Sequence, residues 1–194
     1  MKNEFIKIIL DFVEGRMTAE EFWELYQENQ ALQREIIEDL DRNRHPDAYF
    51  DPIAFLNKGV NLQSYGATTN LQGIAELILK HNNIGCTPTE FYNARYDFLL
   101  DIQPDWLDLD ANYEPFLIKL ATSAPEGLNE MQKLKWCKDQ LKKLFKYDSK
   151  PPRWVQHAEW PIKDGKPLVF RGQSKERTES ELVKFFFYDP ETGE

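Results

Sequence analysis

Apolar residues recur at helical spacing over most of this chain and switch to strict alternation only near its end. Phe5, Ile9, Phe12 and Val13 form one stripe, and Gly15 stops it. Thr18-Ala19-Glu20-Glu21 reads as a capping box, in which the Thr18 hydroxyl takes the Glu21 amide while the Glu21 carboxylate reaches back. Phe22, Trp23, Leu25, Tyr26, Leu32, Ile36, Ile37 and Leu40 extend the period, predicting a helix or helix pair to about Leu40. Residues 41–65 are less regular, and His45-Pro46 and Asp51-Pro52 read as helix breakers. Thr69-Asn70-Leu71-Gln72 opens the next predicted helix, which carries Leu71, Ile74, Leu77 and Ile78 and ends at Gly85. Thr87-Pro88-Thr89-Glu90 supplies an N-cap, a first-position proline and a glutamate for another, with Phe91, Phe98, Leu99 and Ile102 inward and Pro104 as its stop. A short helix is expected over 113–122. Asn129 caps a last one, with Met131, Leu134, Leu141, Leu144 and Phe145 inward and Lys133, Lys138, Lys142 and Lys143 outward.

After a linker-like turn at 146–152 the period becomes two. Leu168 and Phe170 alternate with Val169 and Arg171, and Val183, Phe185 and Phe187 alternate with Lys184 and Phe186. The polar connection over 174–181 makes these an antiparallel hairpin. A lone hairpin is marginal in water, so it must pack on helices through its phenylalanines. The expected fold class is α+β: a helical body over 1–148, then a Trp/Pro segment and a β-hairpin over 149–194 within the same domain.

At 194 residues the chain is long enough to bury a core without disulfides or metals. Its formal net charge of −9 disfavours phosphate backbones as partners, so no nucleic acid is expected. The charge is uneven. Residues 88–127 hold eight acidic side chains against two basic ones, whereas 128–194 hold 11 acidic and 14 basic. Two cysteines, Cys86 and Cys137, are too few for a disulfide framework and are expected as free thiols. The N-terminus lacks the apolar stretch of a signal peptide, and no segment approaches the ~20 apolar residues of a membrane span. A cytoplasmic location away from membranes is expected.

Little in the chain reads as catalytic chemistry. His157-Ala158-Glu159 has the His-x-Glu of zinc deaminases, but the Pro-Cys-x-x-Cys that such a site needs does not follow. His45 and His81 have no partner at ligand spacing, and no phosphate-binding glycine loop or nucleophile elbow is present. No metal and no cofactor are expected. Asp97, Asp101 and Asp105 recur on adjacent turns of one predicted helix, extended by Asp108 and Asp110, with Trp106 inside the run. That spacing is not a calcium loop. It suits a solvated face or a docking patch for a cationic partner, with Trp106 as a half-buried core residue or an interface anchor. Trp154 and Trp160, set between prolines, fit packing of an extended segment better than ligand stacking.

Two stretches carry a resemblance. Pro151-Pro152-Arg153-Trp154-Val155-Gln156 with Glu159-Trp160-Pro161, then Gly165-Lys166-Pro167-Leu168-Val169-Phe170 with Gly172-Gln173, then Tyr188-Asp189-Pro190-Glu191-Thr192-Gly193, resemble a group of small bacterial proteins without an assigned function. Residues 12–22, Phe-Val-Glu-Gly-Arg-Met-Thr-Ala-Glu-Glu-Phe, are similar to theirs too. Those proteins are similar in size, acidity and layout to immunity proteins of contact-dependent inhibition and polymorphic toxin systems. The resemblance implies a non-catalytic binding protein that occludes a cognate, basic toxin domain. Asp97, Asp101, Asp105, Trp106, Asp108 and Asp110 are the candidate partner-binding residues. The alternatives are a small-molecule-binding or enzymatic domain using the Trp154/Trp160 region, and a generic adaptor.

Overall fold

The computed structural model describes residues 1–45, 49–107, 109, 111–155, 160–175 and 183–193. It is a mainly helical α+β fold, 54% helix against 10% strand, as the two hydrophobic periods require. The chain divides into two compact units, Met1–Tyr96 and Asp97–Glu194.

The first unit holds α1 (Asn3–Val13), α2 (Ala19–Glu28), α3 (Gln30–Arg42), α4 (Pro52–Lys58), α5 (Tyr65–His81) and the start of α6 (Phe91–Asp101). Gly15 ends the first helix at φ 76°, where a side chain would be strained and would also meet Thr89. The Thr18 capping box forms as read, with both reciprocal bonds present. Of the helix or helix pair expected to about Leu40 the pair forms, divided at Asn29, which accepts from the amides of Ala31 and Leu32. The core is one cluster around Ile9, Phe12, Leu32, Ile36, Leu71, Ile78 and Leu79, with α1 laid against α5. Phe12 stacks on Phe22 at 4.5 Å, and the Tyr92 hydroxyl accepts from the Ala19 amide at 2.8 Å, closing the start of α2 over this core.

Three sequence expectations shift here. Asp51-Pro52 does not break a helix but starts one: Asp51 accepts from the amides of Ile53 and Ala54, and Pro52 takes the first position. The α5 helix begins at Tyr65, capped by Ser64, four residues before the Thr69 signal. The segment from Thr87 is not a helix start. Tertiary bonds hold it extended: the Thr89 amide donates to Val13 O at 2.8 Å, and Gln72 Nε2 donates to Thr89 O at 2.9 Å. Both backbone groups are spent outside a helix, so α6 starts at Phe91.

The second unit takes the end of α6, a 3-10 turn (Ala111–Tyr113), α7 (Glu114–Thr122), α8 (Glu130–Leu144), β1 (Ile162–Lys163), β2 (Lys166–Pro167), β3 (Val169–Lys175) and β4 (Val183–Tyr188). It thus groups α7 and α8 with the strands, where the sequence reading closed the helical body at about 148. Asn129 caps α8 in a second capping box with Gln132. Cys137, Leu141 and Phe145 are buried, whereas Met131 and Leu144, expected inward, are exposed. Asp164 and Gly165, both at positive φ, turn β1 back onto β2. The β3 and β4 strands pair antiparallel with a bulge between Phe170 and Gly172. Residues 146–148, read as linker, bridge β3 instead: the Phe170 amide donates to Lys146 O and the Asp148 amide to Phe170 O.

An aromatic core joins these pieces. Trp160, only 1% exposed, meets Phe145 at 5.4 Å, Phe187 at 5.4 Å and Phe170 at 6.3 Å, and its Nε1–H donates to Leu168 O at 2.8 Å. The hairpin does pack through its phenylalanines, but against the tryptophan segment, which meets α8 through Phe145.

Candidate functional site

The acidic run lies in the second unit. Asp97 and Asp101 stand one turn apart at the end of α6, both exposed. Asp105 is also exposed, but α6 stops at Asp101, so Asp105 sits in the following turn and not on a third helical turn. That turn is fixed by the buried side chain of Gln103. Its Nε2 donates to Leu99 O at 3.3 Å, and its Oε1 accepts from the Leu109 amide at 2.8 Å. The segment after the helix is therefore held against it. Leu100, beside Asp101 and 50% exposed, adds an apolar patch among the carboxylates. Asp108 and Asp110 lie outside the described residues.

Trp106 is half-buried. Its ring meets Tyr147 at 5.3 Å and Trp160 at 5.7 Å, and its carbonyl accepts from Trp154 Nε1 at 3.0 Å. Much of its surface is spent inside the unit, so the solvent-facing apolar surface beside the carboxylates is Leu100. Trp154 lies against Phe185 at 4.8 Å, and Trp160 has almost no accessible face. Cys86 and Cys137 are free thiols, both pushed up in pKa by burial first of all, which makes them poor nucleophiles. The His-x-Glu pair, His157 and Glu159, lies outside the described residues. Among the described residues no three His, Cys, Asp or Glu side chains converge on a metal position, and no helix is long and apolar enough to cross a membrane.

A second feature was not legible in the sequence. The first unit holds a cleft of about 730 Å³ between the end of α3, α4 and α5. Leu40, Phe50, Ile53, Ile74 and Leu77 supply its apolar wall, and Arg44, Asp51, Glu76 and His81 are among its polar groups. His81, though part of no metal-ligand set among the described residues, is hydrogen-bonded. Its Nδ1 lies 2.8 Å from Asp39 Oδ2, while Asn82 Nδ2 donates to the other Asp39 oxygen at 2.9 Å. Asp39 is buried, so His81 and Asn82 replace the water its carboxylate gives up. Arg44 is paired with Asp51 at 2.6 Å. Glu76 has neither a hydrogen bond nor an ion pair among the described residues, and its carboxyl is pushed above the usual range, first by desolvation and then by Glu90.

The chain matches no protein-family model, no curated protein and no solved structure, so its surfaces have only their own chemistry to speak for them.

Proposed function

We propose that this chain is a non-catalytic binding protein that neutralises a cognate, basic toxin domain, as immunity proteins of contact-dependent inhibition do. The observation that carries the reading is the exposed set Asp97, Asp101 and Asp105 around the exposed Leu100, in a stretch with eight acidic residues and two basic ones. Carboxylates at the rim speed the encounter with a cationic surface, and a central apolar side chain slows its reversal. Trp106 supports this surface from behind through Tyr147 and Trp160.

On this reading a toxin gene should lie directly upstream, and the test uses the toxin domain it would encode as the binding partner. The triple variant Asp97→Lys, Asp101→Lys, Asp105→Lys keeps its fold, because exposed carboxylates contribute at most ~1 kcal/mol each. Its association rate at low salt falls roughly 10- to 100-fold, and the salt dependence flattens. Leu100→Ala acts mainly on the dissociation rate. A triple variant that associates as fast as wild type at low salt reduces the acidic face to a solubilising one.

A further inference from the structure

We infer that the cleft between α3, α4 and α5 is a binding site for a small organic cation with an apolar body, such as an arylalkyl amine, whose ammonium is held by Glu76 and whose body lies along Gly73, Leu77 and Phe50. This site is independent of the acidic face in the second unit. Three observations carry it.

The first is size and lining. A volume of about 730 Å³ falls within the ~300–1,000 Å³ of small-molecule pockets, and the cleft sets an apolar wall of Leu40, Phe50, Pro52, Ile53, Ile74 and Leu77 against nine polar or charged residues among its sixteen.

The second is Gly73. It stands in the middle of α5 without positive φ, and a Cβ placed on it meets nothing within 4 Å. Neither backbone geometry nor packing requires glycine there, yet glycine is among the worst residues for a helix interior. What a glycine does provide is an open floor: Gly73 lines the cleft, with free space where a side chain would begin.

The third is charge. Arg44 and Asp51 cancel across their ion pair. His81 is backed by the Asp39 carboxylate, which balances or exceeds its charge in either protonation state. His45 completes the titratable lining. Glu76, half-buried beside Leu77, is a carboxylate of the lining without an ion pair among the described residues, and the charge acting on it there is that of Glu90. A ligand ammonium supplies a counter-charge.

Phenethylamine and tryptamine serve as cationic probes, tryptophol as the neutral isostere and indole-3-propionate as the anion. Each is titrated into the full chain and followed by amide chemical shifts. The amines are expected to shift the resonances of Gly73, Leu77 and Asn70, with affinity falling from cation to neutral to anion. Glu76→Gln weakens tryptamine about tenfold or more and leaves tryptophol unchanged, as loss of one charge-assisted contact requires. Gly73→Leu fills the floor and removes binding of all probes, while Gly73→Ala keeps the fold and reports whether the backbone tolerates a side chain. The proposal is overturned if neither amine shifts the cleft resonances at millimolar concentration, if the three charge types bind alike, or if a folded Gly73→Leu variant binds as wild type does.

Discussion

Replacing Trp160 by Ala is the sharpest test of whether the tryptophan segment is core or ligand platform. The indole is 1% exposed and in ring contact with Phe145, Phe170 and Phe187 as well as Trp106 and Trp154. Truncating a buried Trp costs about 3–5 kcal/mol in lost transfer energy and residual cavity. The Leu168 carbonyl also loses its indole donor, 2.8 Å away, at a further cost of about 1–3 kcal/mol where water does not replace it. The total approaches the whole stability of an ordinary domain, about 5–15 kcal/mol. Trp160→Phe keeps much of the packing and removes the donor, so it isolates the smaller contribution. Urea unfolding followed by far-UV circular dichroism and tryptophan fluorescence gives both numbers. A Trp160→Ala variant within about 1 kcal/mol of wild type would refute the packing argument and return Trp160 to the list of candidate binding residues.

Two further outcomes follow from the cleft. Burial and Glu90 raise the Glu76 pKa in the folded chain, so its ionised form is less favourable there than in the unfolded chain. Its contribution to stability is complete below the ordinary value of 4.5 and is lost as pH rises through the raised value. Glu76→Gln is therefore more stable than wild type at pH 7, and the difference shrinks toward pH 4; thermal melts showing the same difference at both pH values would contradict this. Asp39→Ala strips the partner from His81 Nδ1 and leaves Asn82 Nδ2 with its bond to Ile78 O, and costs about 1–3 kcal/mol in urea unfolding because the imidazole sits in a partly buried environment; a neutral substitution would mean that water reaches it.

The parts of the fold that were legible in the sequence are those where local chemistry meets no competitor. Thr18 and Asn129 cap helices as read because the reciprocal glutamate and glutamine lie three residues on, and nothing else claims them. The Thr87 signal was as strong on paper, yet Val13 and Gln72, 76 and 17 residues away from Thr89 in the chain, take its backbone groups. Pro52 was read as a breaker because proline stops helices from within, but preceded by Asp51 it opens one. Met131 and Leu144 kept the right period but fell on the rim of the buried stripe. The acidic face needed only spacing to be seen, except that its helix ends one turn early. The cleft needed three helices brought together and a histidine paired with an aspartate 42 residues away, which no local pattern encodes.

The same comparison separates the two surfaces by what they cost. Exposed aspartates on α6 are nearly free to carry, so their presence is compatible with solubility alone, and only binding kinetics can raise them above it. Gly73 and Glu76 are different. A helix-interior glycine with open space above it and a half-buried carboxylate without a partner among the described residues both work against the fold, and they stand three residues apart on α5, lining one cleft. Local choices that oppose the global structure tend to gather where function requires them. An Ala at 73 and a Gln at 76 would each favour the folded chain, by helix propensity in one case and by removal of a desolvated charge in the other. The chain has neither, and a cation lying over Gly73 against Glu76 is the arrangement that accounts for both.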